Sequence, residues 1–363
     1  MILQALAEYY DRKREFDPGS LPQPGFQVTG ISYVVVLKPD GEPYTIEHWF
    51  DERVTIGKNG KEKRFKYPKQ MMTPLAVDRP GQNAWQTAFL LWDHPRYVFG
   101  IPKDDSPKEK ELAPKRLHVF VERIKAAFPS PDKSDPGVSA VLRLYAGDGI
   151  TKLRGFENWE AASTGNGNVS FKLLGESNLI CQSPLVQGVA AQELRDSGTG
   201  AALCLVSGAK ATFSKLHIAT PVRHSSQATA KLISYNEPAF CSFGKEQGAN
   251  APVSPQAMFA YTTALSDLLT RSFVITDTDI VFWAEKQDSP FQNIFGGIMA
   301  DDPNAGTTAV KTLFASLQNG AYVGEDGDIK FHVLGLAPST ARISVRFWHK
   351  AQVRDFAKRI GRY

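Results

Sequence analysis

Apolar residues recur at helical spacing from the start of the chain: Ile2, Leu3, Leu6, Tyr9 and Tyr10 predict an opening helix. Beyond the segment DPGSLPQPG, the run ISYVVVL reads as a buried strand with the turn KPDGEP behind it. TAFLLWD and RYVFGI predict a strand pair that turns at His94 and Pro95. Leu117, Phe120, Val121, Ile124 and Phe128 mark a helix ended by Pro129, and PSPDKSDPG reads as a loop or inserted connection near 129–137. VSAVLRLY, VSFKLL, ALCLVS and KLISY are strand candidates. Ser254 before Pro255 has the chemistry of a helix start, and Met258, Tyr261, Leu265, Leu268 and Leu269 supply the apolar stripe of that helix. SFVIT and DIVFWAE follow as strands, Val310, Leu313, Phe314 and Leu317 as a helix, and IKFHVLGL and ARISVRFW as strands. Phe282, Trp283, Phe347 and Trp348 read chiefly as core. Helices and strands mix without a regular βαβ rhythm, so the fold class is α+β: mixed sheets with packed helices.

Composition narrows this picture. At 363 residues, 42% hydrophobic and 22% charged, the chain is an ordinary folded protein. Its 29 glycines and 23 prolines promise many turns and few long helices, which argues against a coiled coil or helical solenoid. No run approaches the roughly 20 apolar residues that cross a bilayer. The opening MILQALAEYYDRKREF lacks the layout of a secretory signal, so a cytoplasmic protein without membrane contact is expected. Cys181, Cys204 and Cys241 form no CxxC pair, and the seven histidines are scattered singly, so neither a metal site nor a cofactor is expected.

The net charge of +4 conceals two basic concentrations. Lys58, Lys61, Lys63, Arg64, Lys66 and Lys69 stand against Glu62 alone, a segment of +5 with Phe65 and Tyr67 interleaved. Arg342, Arg346, Lys350, Arg354, Lys358, Arg359 and Arg362 stand against Asp355 alone, a segment of +6. The remaining chain therefore carries −7. Glycines flank the first segment, which reads as a hairpin or exposed loop, either solvated or gripping phosphate. In the second, Lys350, Arg354, Lys358 and Arg362 recur every four residues, opposite Val353, Phe356, Ala357 and Ile360. That pattern is a helix with either a solvated face or a phosphate-binding stripe.

Catalytic signatures are weak. There is no Walker A sequence, GxSxG elbow, HExxH or kinase set. STGNGN, from Ser163 to Asn168, lacks the strand-to-helix setting of a phosphate loop and reads as a turn. Asp277 and Asp279 precede an apolar strand and have the chemistry to bind Mg²⁺, or they form the turn there. His217 has no nucleophile or acid placed with it by spacing. A denser polar group spans 223–250: Arg223, Gln227, Lys231, Asn236, Ser242, Lys245, Gln247 and Asn250 are types that read base edges or grip phosphate, with Gly244 and Gly248 permitting close approach. The same residues also suit a polar connector.

The segments MILQAL, CLVSG, KLISYNEPAF, SFGKEQGANAPVS, YTTALSDLL, DIVFWAE and VLGLAPSTARISVRFW run in order from residue 1 to about 348. Together they closely resemble the large subunit of the type I-C CRISPR surveillance complex, Cascade. The chain departs from that family at RHSSQATA, where a glycine-containing turn would precede KLISYN. The resemblance implies an α+β region over 1–348. Residues 349–363 would then start a basic helix leading toward a helical C-terminal region expected to lie outside this chain. It also implies a non-catalytic subunit without cofactors, sitting at the crRNA 5′ end beside the handle-binding subunit, with backbone and small subunits as further partners. Such a subunit recognises a protospacer-adjacent motif (PAM) in target double-stranded DNA, promotes R-loop initiation and helps recruit the helicase-nuclease effector.

On that basis Ser242, Lys245, Gln247 and Asn250 are the expected PAM-facing loop, one side chain serving as a wedge, with Arg223, Gln227 and Lys231 as further contacts. Lys58, Lys61, Lys63, Arg64, Lys66 and Lys69 are expected on the DNA backbone. Arg342, Arg346, Lys350, Arg354, Lys358 and Arg362 are expected against nucleic acid or a partner subunit. The competing readings are a metal-dependent nuclease using Asp277, Asp279 and Glu285, and an architectural subunit that never touches DNA.

Overall fold

The computed structural model describes residues 1–56, 62–79, 81–130, 135–220, 222–223, 225, 230–235, 237–300, 327–339 and 342–360. The chain divides into two compact units, Pro22–Asp196 and a discontinuous one of Met1–Leu21 with Ser197–Tyr363. Helix α1 (Ile2–Phe16) opens the chain where the apolar spacing predicts it.

In the unit Pro22–Asp196 come β1 (Phe26–Leu37), β2 (Pro43–His48), β3 (Phe50–Ile56), β4 (Glu62–Pro74) and β5 (Trp92–Asp93). Helices α2 (Pro95–Val98), α3 (Pro107–Ala127), α4 (Pro136–Ala146), α5 (Gly149–Leu153) and α6 (Trp159–Thr164), strand β6 (Asn168–Leu173) and α7 (Pro184–Asp196) follow. The sheet order is β3-β4-β1-β6-β5, with β2 also paired to β1. Strand β1 is its spine, antiparallel to β2 and β4 and parallel to β6. Val34, Val35, Val36 and Leu37 are fully buried, as a continuous apolar run requires of a strand covered on both faces. Phe120, Ile124, Val138, Val141 and Leu144 pack into the same core as Val35 and Phe171.

The second unit contains the hairpin β7 (Thr199–Leu203) and β8 (Lys210–Phe213), then α8 (Pro255–Thr270), β9 (Phe273–Ile275), β10 (Thr278–Ala284) and α9 (Pro290–Met299). It closes with β11 (Lys330–Ser339), β12 (Arg342–Gln352) and α10 (Val353–Ile360). An antiparallel sheet of order β12-β11-β10-β9 carries Ile280, Phe331 and Val333, which cluster with Phe291 of α9 and Val353 and Phe356 of α10. Helix α1 packs on α8. Tyr10 meets Phe259 edge-on at 5.8 Å, and Asp267 accepts from the Tyr9 hydroxyl at 2.7 Å and from Lys13 Nζ at 2.8 Å. Ser254 Oγ accepts the Ala257 N–H at 3.3 Å and starts α8 as predicted.

The fold class is α+β, with local differences from the sequence reading: among them, ALCLVS is strand only through Leu203 and TAFLLWD only at Trp92–Asp93. VSAVLRLY is not a strand but helix α4: Asp135 Oδ1 accepts the Val138 N–H at 3.0 Å, and Pro136 takes the first helical position. Val138, Val141 and Leu144 then share its buried face. RYVFGI begins with the helical turn α2, whose N-cap His94 accepts the Arg96 N–H at Nδ1. KLISY contributes one bridge, Lys231 to Arg342, before the chain bends. Strand β12 runs through Gln352, so Lys350 lies in the sheet rather than on a helix. The helix expected through Val310, Leu313, Phe314 and Leu317 lies outside the described residues. Among the described residues, no helix is long and apolar enough to cross a membrane.

His217 is buried at 4% exposure, with Nδ1 2.6 Å from the Tyr261 hydroxyl. Burial, aided by the charge of Lys231, pushes its pKa down to about 4. The unfolded chain takes up this proton near 6.5 and the fold only near 4, so stability falls as pH drops through that window and is untouched above it. One such proton corresponds to about 1.4 kcal/mol per pH unit. His217→Gln, which keeps a partner for Tyr261, is expected to remove one proton from the pH slope of chemical-denaturation stability; an unchanged slope contradicts this.

Candidate nucleic-acid interface

The polar stretch ahead of α8 is held in one shape by its own backbone and one side chain. Two 3₁₀ turns, Pro238–Phe240 and Gln247–Asn250, flank the turn Ser242–Lys245. The Lys245 N–H donates to the Ser242 carbonyl at 3.0 Å, while Phe243 and Gly244 take φ of +52° and +67°, the left-handed pair of a type I′ turn. Asn250 ties the turn shut: its Oδ1 accepts the Ser242 N–H at 3.1 Å, and its Nδ2 donates to the carbonyls of Lys245 at 3.2 Å and Gln247 at 3.0 Å. Gly248 pins the base, donating to the Lys215 carbonyl at 3.0 Å. A Cβ there would stand 2.0 Å from the Ser214 carbonyl oxygen, so the position admits only glycine.

This geometry sorts the predicted residues. Ser242 and Lys245 are exposed at the turn. Asn250 faces inward and spends its amide on the frame, and the Gln247 Oε1 is buried without a hydrogen-bond partner. The side chain that projects is Phe243, 96% exposed. The polar pattern of the stretch does not select it, although a lone large apolar residue before glycine is a signal of its own. Arg223 anchors the start of the region: its N–H donates to Asp279 Oδ2 at 2.8 Å, and its half-exposed guanidinium lies 3.8 Å from the same carboxylate. Lys231 is half-buried beside β12. Arg342 sits 3.9 Å over the Phe240 ring and braces the flank of the loop. Gln227 and Asn236 lie outside the described residues.

The three acids of the nuclease reading are engaged separately. Asp279, 1% exposed, accepts the Ser272 hydroxyl at 2.6 Å as well as the Arg223 N–H. Asp277 lies at the surface, paired with Arg346 at 3.1 Å. Glu285 pairs with His332 at 3.0 Å, Lys330 at 3.7 Å and Lys350 at 3.9 Å. Burial works to raise the Glu285 pKa, but those partners hold it below the usual carboxylate value. Among the described residues, no group of three or more His, Cys, Asp or Glu is placed to hold a metal ion. These pairings also dissolve the expected C-terminal stripe. Lys350 belongs to Glu285, Arg354 pairs with Asp328, Lys358 is exposed on α10, and Arg362 lies outside the described residues.

The described part of the first basic segment, from Lys63 to Lys69, lies on a two-stranded ribbon. Ile31 pairs with Lys69 where β1 leaves β4, and from Pro68 outward β4 is paired with β3, Phe50 opposite Pro68 through Ile56 opposite Glu62. Because side chains alternate across a strand, Lys63, Phe65, Tyr67 and Lys69 share one face with Arg53 and Asp51. Arg64 and Lys66 share the other with Glu52, which pairs with Lys66 at 3.8 Å. Phe65 and Tyr67 are 52% and 39% exposed, so this aromatic and basic face is open. Lys69 Nζ stands 5.0 Å over the Trp49 ring at the root of the ribbon. Lys58 and Lys61 lie outside the described residues.

A family model described as CRISPR-associated protein (Cas_Csd1) matches residues 6–363. No curated protein matches the chain.

A bulky residue in left-handed backbone costs about 1–2 kcal/mol. Phe243 makes no packing contact that would offset it at 96% exposure. Phe243→Asn, which creates the Asn-Gly pair favoured by type I′ turns, is therefore expected to stabilise the protein by about 1 kcal/mol. Chemical denaturation checks this; a loss of stability would mean that the ring is held against the protein.

Proposed function

Because the chain belongs to the Csd1 family of CRISPR-associated proteins, Cascade subunits that work with other Cas proteins and CRISPR RNA, we propose that it is the non-catalytic large subunit of a type I-C complex. In this role it sits at the crRNA 5′ end, reads the PAM in double-stranded DNA, starts strand separation and offers a surface to the helicase-nuclease. The observation that carries the reading is the Ser242–Lys245 turn, which presents an exposed Phe243 ring beside an exposed ammonium on a backbone locked by Asn250.

Opening a duplex requires a base step to be unstacked at a cost of a few kcal/mol, and an apolar side chain inserted at that step replaces the missing stacking. Phe243 has the shape for this insertion. Lys245 suits a phosphate or a minor-groove acceptor, and the Ser242 hydroxyl a groove edge. Gln247 and Asn250 act as the frame that aims the turn, and Arg223 and Lys231 as supports at its edge. The open face of the ribbon, with Arg53, Lys63 and Lys69 around Phe65 and Tyr67, tracks the DNA backbone without reading sequence. The exposed Lys358 and Arg359 remain as candidates for a partner subunit. The separate engagement of Asp277, Asp279 and Glu285 supports a subunit without nuclease chemistry of its own.

In the assembled complex, Phe243→Ala is expected to weaken PAM-dependent duplex opening, read by 2-aminopurine fluorescence beside the PAM, by about 5- to 150-fold, the worth of one base–aromatic stack of about 1–3 kcal/mol. Loading of crRNA should be unchanged. Opening at the wild-type rate would refute the role of the turn.

Arg53→Gln with Lys63→Gln is expected to flatten the salt dependence of target binding by up to about 0.9 for each phosphate ion pair removed, at unchanged PAM preference. Arg64→Gln with Lys66→Gln, on the face shared with Glu52, should do less. An equal or absent effect of both pairs would return the ribbon to a solvated hairpin.

A further inference from the structure

The unit Pro22–Asp196 holds a cleft of about 520 Å³ that takes no part in the proposed duplex contacts. Its size lies within the roughly 300–1,000 Å³ typical of small-ligand sites, and its lining sets three cations beside the apolar Ile101, Pro102 and Trp159. Arg96 comes from α2, Lys103 from the loop after it, Arg154 from the end of α5 and Trp159 from the start of α6. The rest of the wall is His94, Ile101 and Pro102 together with the first four residues of the STGNGN segment, of which Ser163 and Thr164 end α6 and Gly165 and Asn166 form the bend after it. No Asp or Glu lines the cleft. None of the three cations is paired with a carboxylate among the described residues, although ion pairs are formed by many other Arg and Lys side chains of this chain.

Two neighbouring arrangements keep the cleft cationic and shaped. The acid close behind it, Glu109, accepts both Arg116 Nη groups at 2.8 and 2.9 Å and the Lys103 N–H at 3.1 Å. The bidentate bond from Arg116 holds its pKa down to about 2. Its charge is therefore committed first to Arg116, and its attraction to Arg96 is a lesser one. His94 contributes no charge, since burial and the Arg96 guanidinium push its pKa down to about 4. Its Nδ1 accepts the Arg96 N–H at 3.3 Å, which caps α2 and holds the start of that helix at the cleft wall. Trp159 lies half-buried against Phe99, ring centroids 4.9 Å apart, which immobilises the indole at the edge of the cleft.

Unpaired guanidinium groups select phosphate by bidentate, charge-assisted hydrogen bonds. A fixed indole selects the face of a base. We propose that this cleft binds a nucleoside phosphate, its phosphate on Arg96, Arg154 and Lys103 and its base against Trp159. The source is either one nucleotide of a single strand or a free nucleotide, and both share this chemistry. The site stands independently of the Ser242–Lys245 turn, so neither proposal falls with the other.

The test is calorimetric titration of the whole chain with adenosine 5′-monophosphate, with uridine 5′-monophosphate, with inorganic phosphate, and with a single-stranded tetranucleotide. Arg154→Glu, at an exposed position that leaves folding intact, should weaken binding at least about tenfold, the loss of one charge-assisted hydrogen bond. Trp159→Leu should weaken the nucleotides but not inorganic phosphate. Binding of the tetranucleotide well above the mononucleotides assigns the cleft to a strand; equal binding assigns it to a free nucleotide. Binding of neither, binding indifferent to Arg154→Glu, or nucleotides no tighter than inorganic phosphate would overturn the proposal.

Discussion

Three hydrogen bonds made by one amide determine which side chains the Ser242–Lys245 turn presents outward. Asn250 closes the Ser242–Lys245 turn by accepting one backbone N–H and donating to two carbonyls. An amide used in this way has little capacity left for a base edge. Its neighbours inherit the outward direction: the left-handed φ of Phe243 and Gly244 sends the ring into solvent with Lys245 beside it. Gly248, pressed against the Ser214 carbonyl, fixes the frame to the chain behind it. A strained, fully exposed aromatic is disfavoured for stability, so its presence on a rigid frame points toward function.

The same accounting of partners redistributes the basic charge. The C-terminal segment looks strongly positive as a string of letters, but the fold supplies Asp277, Glu285 and Asp328 as counter-charges for Arg346, Lys350 and Arg354. Arg342 is committed to the Phe240 ring. The β3–β4 ribbon keeps more of its charge, and it does so unevenly: Glu52 lies across from Lys66 on one face, while the face with Phe65 and Tyr67 has three cations to one acid. Field strength at a surface depends on these local residues far more than on the formal charge of the segment.

Much of the architecture is legible in the sequence because periodicity and capping point the same way. Ser254-Pro255 announces α8, the apolar run ISYVVVL announces the buried half of β1, and DIVFWAE with ARISVRFW announces two strands of the antiparallel sheet. VSAVLRLY misleads because its valines favour strands, whereas Asp135-Pro136 before it carries the better signal. KLISY misleads because an apolar pentapeptide does not reveal whether a partner edge exists. The discontinuous unit is illegible, since the pairing of α1 with α8 rests on contacts such as Lys13 to Asp267, which no local pattern encodes. At the candidate site the segment can be found from its residue types but the orientation cannot. In an irregular loop, which side chains face outward depends on turn geometry, and that geometry is set here by an asparagine whose chemistry alone suggests a base contact.

Placement of the Phe243 ring at the opening base step is the central claim, and site-specific photo-crosslinking reads it most directly. A benzophenone side chain at position 243, in the assembled complex on a labelled target duplex, should crosslink to the base pairs joining the PAM and the protospacer, and should lose that product on a PAM-mutated duplex. Crosslinks confined to protein, or DNA products that ignore the PAM, would contradict the account.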